Sequence, residues 1–370
     1  MRILLAPDKF KGSLTARAVS EALAGGIRER YPTAEIRVHP LADGGDGTLD
    51  ILAQHRPLDP IEVATVDPLG RPLQAAYRSD GKTAYIELAT ASGLVLLTPR
   101  ERNPLMTTTY GTGILLAHAL QHGHREVYLL LGGSATHDVG TGIARALGIE
   151  LLDRNRRPVA PGGAGLAHIE QLAYPTTHSW AGKAIRLLCD VTNPLIGPQG
   201  SARVYAAQKG ADPAIVERLE AGTRHFGALL EAKTGVAVNH LPGGGAAGGI
   251  AAGLQAMLGA TLQRGFEAIS ELTGLEAAVQ WADHVITGEG RLDSQSLDGK
   301  VVGGLAQLCA AYSKPYSIVA GAATLSQAHP WPGRCRGVHT LVARAGSTAR
   351  AMRAAKPLLR AIGAALDLDS

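Results

Sequence analysis

Short apolar segments that end in acidic or glycine-rich turns recur along this chain, and this pattern restricts the fold more than any other feature. Each segment has the length and the leucine- and isoleucine-rich composition of a buried strand. Ligands of open parallel sheets lie beyond the carboxyl ends of the strands. We therefore expect the turns after these segments to form one polar cleft. The segments are RILLAP before Asp8, IRVHPL before ADGGDGT, EVYLLL before GGSATHDVGTG, IRLLC before Asp190, and HVIT before Gly288 to Asp293.

The predicted secondary structure changes character twice. Residues 2–50 indicate a β-α-β unit with its helix over 15–32. Residues 61–94 alternate in short segments broken by PLGRP and SDGK, which is typical of an antiparallel meander. Strand and helix patterns alternate again from about residue 240, and we interpret HTLVARA at 339–345 as a strand.

The chain has 370 residues, which is long enough for two hydrophobic cores. We predict an α/β protein in which a discontinuous Rossmann-like parallel-sheet domain is formed by residues 1–60 and 241–370. A second α/β domain, residues 61–240, is inserted in the middle of the chain. We expect the active-site cleft between these two domains.

Composition argues against several functional classes. The net charge of +4 comes from 36 basic and 32 acidic residues, and aromatic residues make up 4%. A nucleic-acid surface requires a denser basic patch with aromatic side chains. Neither a signal peptide nor a membrane span is predicted, so we expect a cytoplasmic protein without nucleic-acid or membrane partners. The three cysteines have no CxxC spacing, which disfavours a zinc knuckle or a disulfide framework.

Two glycine-rich segments resemble nucleotide motifs. AYRSDGKT at 76–83 has alanine where a Walker A loop needs glycine, and it fits a hairpin turn. GGGAAG at 243–248 matches GxGxxG, and Glu267 lies near the distance expected of a ribose-binding acid. Pro242 interrupts the preceding strand pattern. Gly244 and Gly245 either bind a phosphate at a helix start or permit close packing, and the first alternative supports an NAD(P)-dependent oxidoreductase.

The other polar residues at the strand ends are carboxylates, lysines and small hydroxyl side chains. The chain has no GxSxG and no HExxH motif, which disfavours serine and zinc hydrolases. Phosphoryl transfer uses carboxylates for Mg²⁺ and for the acceptor hydroxyl, and backbone N–H groups and lysines for phosphates. The residues alone therefore favour Mg²⁺-dependent chemistry on a phosphorylated ligand.

The motifs, in this order, resemble the signature blocks of the glycerate kinase family, of the bacterial type that makes 2-phosphoglycerate. The resemblance implies a Rossmann-like domain with an inserted α/β domain, ATP and Mg²⁺ as cofactors, and D-glycerate as the small-molecule substrate. A homodimer is an open alternative to a monomer, and a non-catalytic sensor of an anionic metabolite is an open alternative function. The blocks are APDKFKGSLTA, PLADGGDGT, TTYGTG, GGSATHDVGTG, DVTNPLIGPQGSARVYAAQKGA and VITGEGRLDSQSLDGK.

The resemblance also implies catalytic and substrate-binding roles. Asp190 is the leading candidate for the carboxylate that accepts the hydroxyl proton, and its alternative is to cap the turn before Pro194. Lys11 and Asp43 complete the catalytic set, and Lys11 would bind the glycerate carboxylate or the transferred phosphate. Asp8 would orient hydroxyl groups or hold Mg²⁺. Ser13 would bind substrate or cap the next helix.

The nucleotide and the metal ion are assigned to further residues of the same blocks, together with Gly244 and Gly245 of the GGGAAG segment. Arg291 would neutralise phosphate charge or pair with Asp293, and both are assigned to the substrate site. Asp138 would bind metal or cap the following helix. The candidate phosphate ligands are Gly132, Gly133, Ser134, Thr136, Lys209, Gly244 and Gly245, and the candidate metal ligands are Asp43, Asp190 and Glu289.

Two positions depart from the family pattern. Lys9 stands where the family usually has a small neutral residue, and His137 stands where it usually has asparagine. His137 keeps a hydrogen-bonding side chain that can also accept a proton near neutral pH. We interpret His137 as a polar substitution and not as a catalytic base.

Overall fold

The structure is a computed structural model that describes residues 1–45, 47–297, 300–325 and 329–369. The chain forms two compact units. The first unit contains residues 1–43, 50–55 and the chain from Arg264 onward, and the second contains residues 44–49 and 56–263. The first unit is therefore discontinuous, and the second is inserted within it.

The strands and helices of the described residues are numbered in chain order. The strands are β1 (Arg2–Leu5), β2 (Glu35–Val38), β3 (Asp59–Val66), β4 (Pro72–Ser79), β5 (Thr83–Glu87), β6 (Glu126–Leu130), β7 (Glu150–Leu152), β8 (Gln171–Ala173), β9 (Ala184–Leu188), β10 (Thr261–Gln263), β11 (His284–Leu292), β12 (Pro315–Ala323) and β13 (Arg334–Thr340). The α-helices are α1 (Ala16–Arg30), α2 (Thr48–His55), α3 (Ala89–Ser92), α4 (Tyr110–Gln121), α5 (Thr141–Ala146), α6 (Ser201–Tyr205), α7 (Pro213–Thr234), α8 (Ala246–Leu258), α9 (Gly265–Thr273), α10 (Leu275–Trp281), α11 (Val301–Ala311), α12 (Leu341–Ala345), α13 (Thr348–Arg353) and α14 (Ala355–Ala365). Short 3-10 helices cover Leu94–Leu96, Pro99–Glu101, Gly163–His168, Ala207–Lys209 and Ser294–Leu297.

The first unit is built on a parallel sheet with the strand order β2-β1-β11-β12-β13. The chain moves from β1 to β2 on one side and returns to β11 on the other side, so the strand order reverses between β1 and β11. Open α/β sheets bind their ligands at such a switch point. The predicted Rossmann-like parallel sheet is confirmed.

Helices α1 and α14 pack closely on one side of this sheet because glycines remove side chains from their contact. A Cβ at Gly26 would overlap the carbonyl oxygen of Arg360, and a Cβ at Gly363 would overlap that of Leu23. Ile3, Leu5 and neighbouring apolar residues of these helices form the core beneath. The two helices thereby cover this face of the sheet in close contact with each other.

The second unit has a mixed sheet with the strand order β10-β9-β6-β5-β4-β3. Strands β5, β6, β9 and β10 are parallel, while β3, β4 and β5 form antiparallel pairs. The predicted meander is confirmed, and Gly81 turns the chain between β4 and β5 with a φ of +86°. AYRSDGKT is therefore a hairpin and not a phosphate loop.

Three local details differ from the sequence interpretation. Residues 241–263 lie in the second unit, because β10 extends its sheet by pairing with β9. The strand expected at 339–345 ends at Thr340, whose side chain caps α12 by accepting a hydrogen bond from the N–H of Ala343. Helix α1 is capped by Thr15 and not by Ser13, whose hydroxyl instead donates to the carbonyl oxygen of Met352 at 3.2 Å.

Among the described residues, no helix combines the length and the apolar character that a membrane span requires.

Candidate active site

The strand-order reversal of the first unit brings Asp8 beside Glu289. The backbone N–H of Asp8 donates to the carbonyl oxygen of Gly288 at 2.8 Å, so the chain after β1 stays paired with β11. A Cβ at Gly290 would lie 3.1 Å from the backbone nitrogen of Lys11, so glycine allows the 8–13 turn to approach the strand. Two of the five predicted strand ends therefore meet.

Burial gives this cluster unusual proton affinity. Burial and the charge of Asp43 raise the pKa of Asp8 to about 7, while Lys9 and Lys300 oppose the shift. Burial likewise raises the pKa of Glu289 to about 7, against a hydrogen bond from Ser296. Oε1 of Glu289 is buried and has no hydrogen-bond partner among the described residues. The cluster therefore has more negative charge than the neighbouring lysines neutralise, and a bound cation or a hydroxyl group that donates a hydrogen bond would stabilise it.

The other predicted residues of the first unit are more exposed. Lys11 lies at the surface. Arg291 forms an ion pair with Asp293 at 3.6 Å, and its side chain is 73% exposed. An exposed pair of this kind is weak, so the guanidinium can exchange its partner for a phosphate at little cost. Asp46 of the ADGGDGT block lies outside the described residues.

In the second unit, the turn after β6 has the features of an anion site. Gly133 has a φ of +72°, which is the left-handed conformation. The N–H groups of Gly132, Gly133 and Ser134 donate to no acceptor among the described residues, whereas the N–H of Leu131 before them and the N–H of Ala135 after them are bonded. Successive free N–H groups in such a turn bind anions. The phosphate role of these three residues stays a prediction, and their unbonded N–H groups are available for it.

Asp138 fixes this turn from within. Its carboxylate accepts hydrogen bonds from the N–H of Thr109 at 2.8 Å, the hydroxyl of Thr109 at 2.9 Å, and the N–H groups of Gly140 at 3.1 Å and Gly142 at 3.2 Å. The side chain is fully buried. Asp138 therefore holds the start of α5 and the TTYGTG block in place, which is the capping alternative and not metal binding.

Thr136 and Lys209 meet behind the same turn. Lys209 is 2% exposed, and its Nζ donates to the carbonyl oxygen of Thr136 at 2.6 Å. The sequence assigned Lys209 to direct phosphate contact, whereas the structure gives it a contact with the loop. The hydroxyl of Thr136 lies 3.0 Å from Oγ of Ser134. Both hydroxyl groups therefore stabilise the turn.

His137 is fully buried, and its Nε2 lies 2.9 Å from the hydroxyl of Thr223. Burial and the nearby charge of Lys209 lower the pKa of His137 to about 3. The ring is therefore neutral at physiological pH. This environment agrees with a polar packing residue and not with a catalytic base.

The GGGAAG segment packs against the turn and is not a dinucleotide motif. The stretch between α7 and α8 that leads directly into it contains no strand, and the N–H groups of Gly244 and Gly245 donate to the carbonyl oxygens of Leu241 and Asn193, both at 2.9 Å. A Cβ at Gly248 would overlap the carbonyl oxygen of Thr136. The close-packing alternative is therefore the one that the structure favours, and Glu267 belongs to the other unit.

Asp190 follows β9, which lies next to β6 in the sheet, and its side chain is partly buried. The hydroxyl of Tyr205 donates to Oδ1 of Asn193 at 2.6 Å, and the side-chain amide of Asn193 donates to the carbonyl oxygen of Gln199 at 2.9 Å. Asn193 thus supplies hydrogen bonds that hold the turn after Asp190. Asp190 and the free N–H groups come from the carboxyl ends of adjacent parallel strands.

The described residues form no cluster of three or more histidine, cysteine, aspartate or glutamate side chains that could hold a metal ion. The predicted set is divided between the units, since Asp43 and Glu289 belong to the first and Asp190 to the second. Magnesium in kinases is usually held by one or two carboxylates together with the phosphates of the substrate. The unpartnered oxygen of Glu289 fits that type of site.

Comparison with known proteins agrees with the motif blocks. The model of the glycerate kinase family matches residues 3–367. The chain belongs to the glycerate kinase family. The glycerate 2-kinase of Escherichia coli is 40% identical over 327 residues, covering 88% of this chain and 86% of that protein. The glycerate kinase of Halalkalibacterium halodurans is 41% identical over 322 residues, covering 86% of this chain and 85% of that protein.

The fold of this glycerate kinase family member also agrees with a solved relative. A crystal structure assigned to glycerate kinase 2 of Salmonella typhimurium LT2 superposes with a TM-score of 0.83 at 38% identity, covering 99% of this chain and 98% of that one. These similarities give no support to the oxidoreductase or the sensor interpretation. The α/β fold and the family identified from the motifs are confirmed.

Two residues near the carboxylate cluster were missed by the sequence reasoning. Lys300 acts electrostatically on both Asp8 and Glu289, and Ser296 hydrogen-bonds Glu289. Both lie in the VITGEGRLDSQSLDGK block, so the sequence feature that could have identified them was their position in this block. Ser296 lies in the 3-10 helix Ser294–Leu297 after β11, which apolar periodicity does not reveal.

Proposed function

We propose that this protein transfers the γ-phosphoryl group of ATP to the 2-hydroxyl of D-glycerate, giving 2-phosphoglycerate and ADP. The observation that carries the proposal is the similarity to the Escherichia coli glycerate 2-kinase over 88% of this chain and 86% of that protein. The chemistry of the two strand-end clusters supports it. One is rich in carboxylates, and the other offers unused N–H groups.

In this proposal the turn after β6 binds phosphate oxygens. The N–H groups of Gly132, Gly133 and Ser134 donate hydrogen bonds without needing to leave protein partners. Asp138 and Thr136 hold the turn, so little ordering is required on binding. A preorganised set of donors is the usual way in which proteins stabilise transferring phosphoryl groups.

Asp190 is the proposed base. Its carboxylate accepts the proton of the glycerate hydroxyl as that oxygen bonds to the γ-phosphorus and the bond to ADP breaks. Lys11 and Arg291 are surface cations that we assign to the glycerate carboxylate and to phosphate charge. Asp8 is assigned to orienting a hydroxyl group, because its raised pKa allows it to donate as well as to accept a hydrogen bond.

Magnesium is part of the proposal. Glu289 and Asp43 would hold the ion together with phosphate oxygens, and the ion would neutralise phosphate charge. Glu289 has a buried oxygen without a partner among the described residues. Binding of a divalent cation is therefore expected to lower the pKa of Glu289.

The test is a product-specific assay. Purified protein, ATP, Mg²⁺ and D-glycerate are coupled to enolase, pyruvate kinase and lactate dehydrogenase without phosphoglycerate mutase. Only 2-phosphoglycerate is then converted further, and NADH oxidation is expected. ADP release that depends on D-glycerate, with an enolase-dependent signal only after phosphoglycerate mutase is added, would assign the 3-hydroxyl instead. No ADP release with D-glycerate or with a panel of small hydroxy acids would overturn the kinase proposal.

A further inference from the structure

Lys209 is a buried cation whose contact is with the loop and not with solvent. It ends the 3-10 helix Ala207–Lys209 and is 2% exposed. Among the described residues, its Nζ has one hydrogen-bond acceptor, the carbonyl oxygen of Thr136 at 2.6 Å. Lys209 and Thr136 are 73 residues apart in the chain, so this hydrogen bond joins two distant blocks.

The Thr136 carbonyl lies two residues after Ser134, the last of the three residues with free N–H groups. Its neighbour Ser134 donates to the carbonyl oxygen of Ala247 at 3.4 Å and accepts from the N–H of Thr136 at 3.1 Å. Gly248 packs against the same carbonyl oxygen from the other segment. Displacement of Thr136 would therefore also displace Ser134, whose N–H is one of the proposed phosphate ligands.

Retaining a charge at this place is unfavourable for folding. Burial lowers the pKa of Lys209 to about 7, although the charge of Asp138 opposes this shift. The other titratable groups of the cluster are His137, which burial and then the Lys209 charge keep neutral, and Arg145, on which Asp138 acts. Replacing a buried charge by an apolar side chain of similar volume is often neutral or stabilising.

We propose that Lys209 is a positioning residue for the nucleotide: it fixes the Thr136 carbonyl and thereby holds the 132–136 loop in the conformation that leaves its N–H groups open to phosphate. This inference rests on the proposed kinase function. It separates Lys209 from the residues that touch the substrate, because the side chain acts through the backbone of Thr136. It also explains why a lysine stands where folding alone would favour an apolar residue.

The test compares Lys209→Met with Lys183→Met. Lys183 is a partly buried lysine of the same unit whose Nζ also donates to a backbone carbonyl, that of Leu120. Wild-type protein must first show glycerate kinase activity, so failure of the proposed function is detected separately. We expect Lys209→Met to change Tm no more than Lys183→Met does, because both variants remove a lysine donor from a backbone carbonyl. The kcat/KM for ATP should fall at least about tenfold in Lys209→Met and stay near the wild-type value in Lys183→Met.

Hydrogen–deuterium exchange gives a readout that is independent of turnover. In Lys209→Met the peptide covering 132–140 is expected to exchange faster, while peptides from β6 and β9 are unchanged. If Lys209→Met does not fold, Lys209→Gln keeps an N–H donor for Thr136 and is expected to show an intermediate loss. Wild-type kcat/KM with unchanged exchange at 132–140 would overturn the proposal, as would faster exchange throughout the unit.

Discussion

The backbone N–H of Asp8 donates a 2.8 Å hydrogen bond to the carbonyl oxygen of Gly288, and this bond places the carboxyl group of Asp8 in the electrostatic field of Glu289. The two residues are separated by most of the chain, and they meet at the point where the parallel sheet reverses its strand order. Burial, together with the charge of Asp43 acting on Asp8 and the charge of Asp8 acting on Glu289, keeps both carboxyl groups partly protonated near neutral pH.

The stability of the protein is therefore expected to depend on pH through this pair. The pKa of Glu289 is raised from 4.5 to about 7, and that of Asp8 from 3.8 to about 7. At pH values between the ordinary and the raised pKa of each group, the folded state binds more protons than the unfolded state. The free energy of unfolding therefore falls as pH rises through this range. In Glu289→Gln the decrease in the free energy of unfolding from low to high pH should be smaller by up to about 3 kcal/mol.

Urea unfolding at about pH 5 and about pH 8 measures this difference. Glu62→Gln, an exposed change on β3, is the matched control and should keep the wild-type pH dependence. The same pH dependence in Glu289→Gln as in wild type would show that Glu289 is ionised normally in the folded state.

Asp190→Asn should separate proton transfer from binding. The amide has nearly the shape of the carboxylate but cannot accept the hydroxyl proton, so kcat should fall about 100-fold or more. The Kd of a non-hydrolysable ATP analogue, measured by calorimetry, should stay within about threefold. Asp59→Asn, at an exposed position of the same unit, is the control. An equal loss of nucleotide binding would instead assign Asp190 to the metal ion or to the turn.

Asp138→Ala should destabilise the second unit strongly. The change leaves the buried N–H groups of Thr109, Gly140 and Gly142 without their acceptor. Such losses together amount to about 3 kcal/mol or more. Asp153→Ala removes a carboxylate that also accepts backbone N–H groups, but at an exposed turn, and should cost about 1 kcal/mol. Similar urea midpoints for both variants would show that Asp138 contributes no more than a surface turn.

Gly248→Ala should be far more damaging than Gly259→Ala. Both glycines have a positive φ, +78° and +69°, so each alanine carries a left-handed strain of about 1–2 kcal/mol. Only at position 248 does the added Cβ also overlap a carbonyl oxygen, that of Thr136, while nothing lies within 4 Å at Gly259. Thermal unfolding of the two variants compares strain alone with strain plus overlap. Equal shifts in Tm would mean that the 245–249 segment can move away from Thr136 without further loss of stability.

The chain sequence by itself determined the strand ends, the hairpin meander and the family blocks, because these depend on local periodicity, turn residues and residue identity. It identified Asp8, Glu289, Asp190 and the 132–136 turn as candidates on that basis. The assignment of these residues to catalytic, substrate and metal roles stays a prediction, and the substitutions above test it.

Tertiary structure alone decided which candidate residues keep N–H donors free for a ligand and which use their polar groups in contacts within the protein. The three-residue pairing of β10 with β9 moved 241–263 into the second unit, and no local pattern encodes a partner strand. Likewise, the burial of Lys209 against Thr136 and the packing of Gly248 on the same carbonyl depend on segments far apart in sequence. Contacts of this range are set by the packing of whole elements, so local sequence cannot distinguish a lysine that binds phosphate from one that holds the loop.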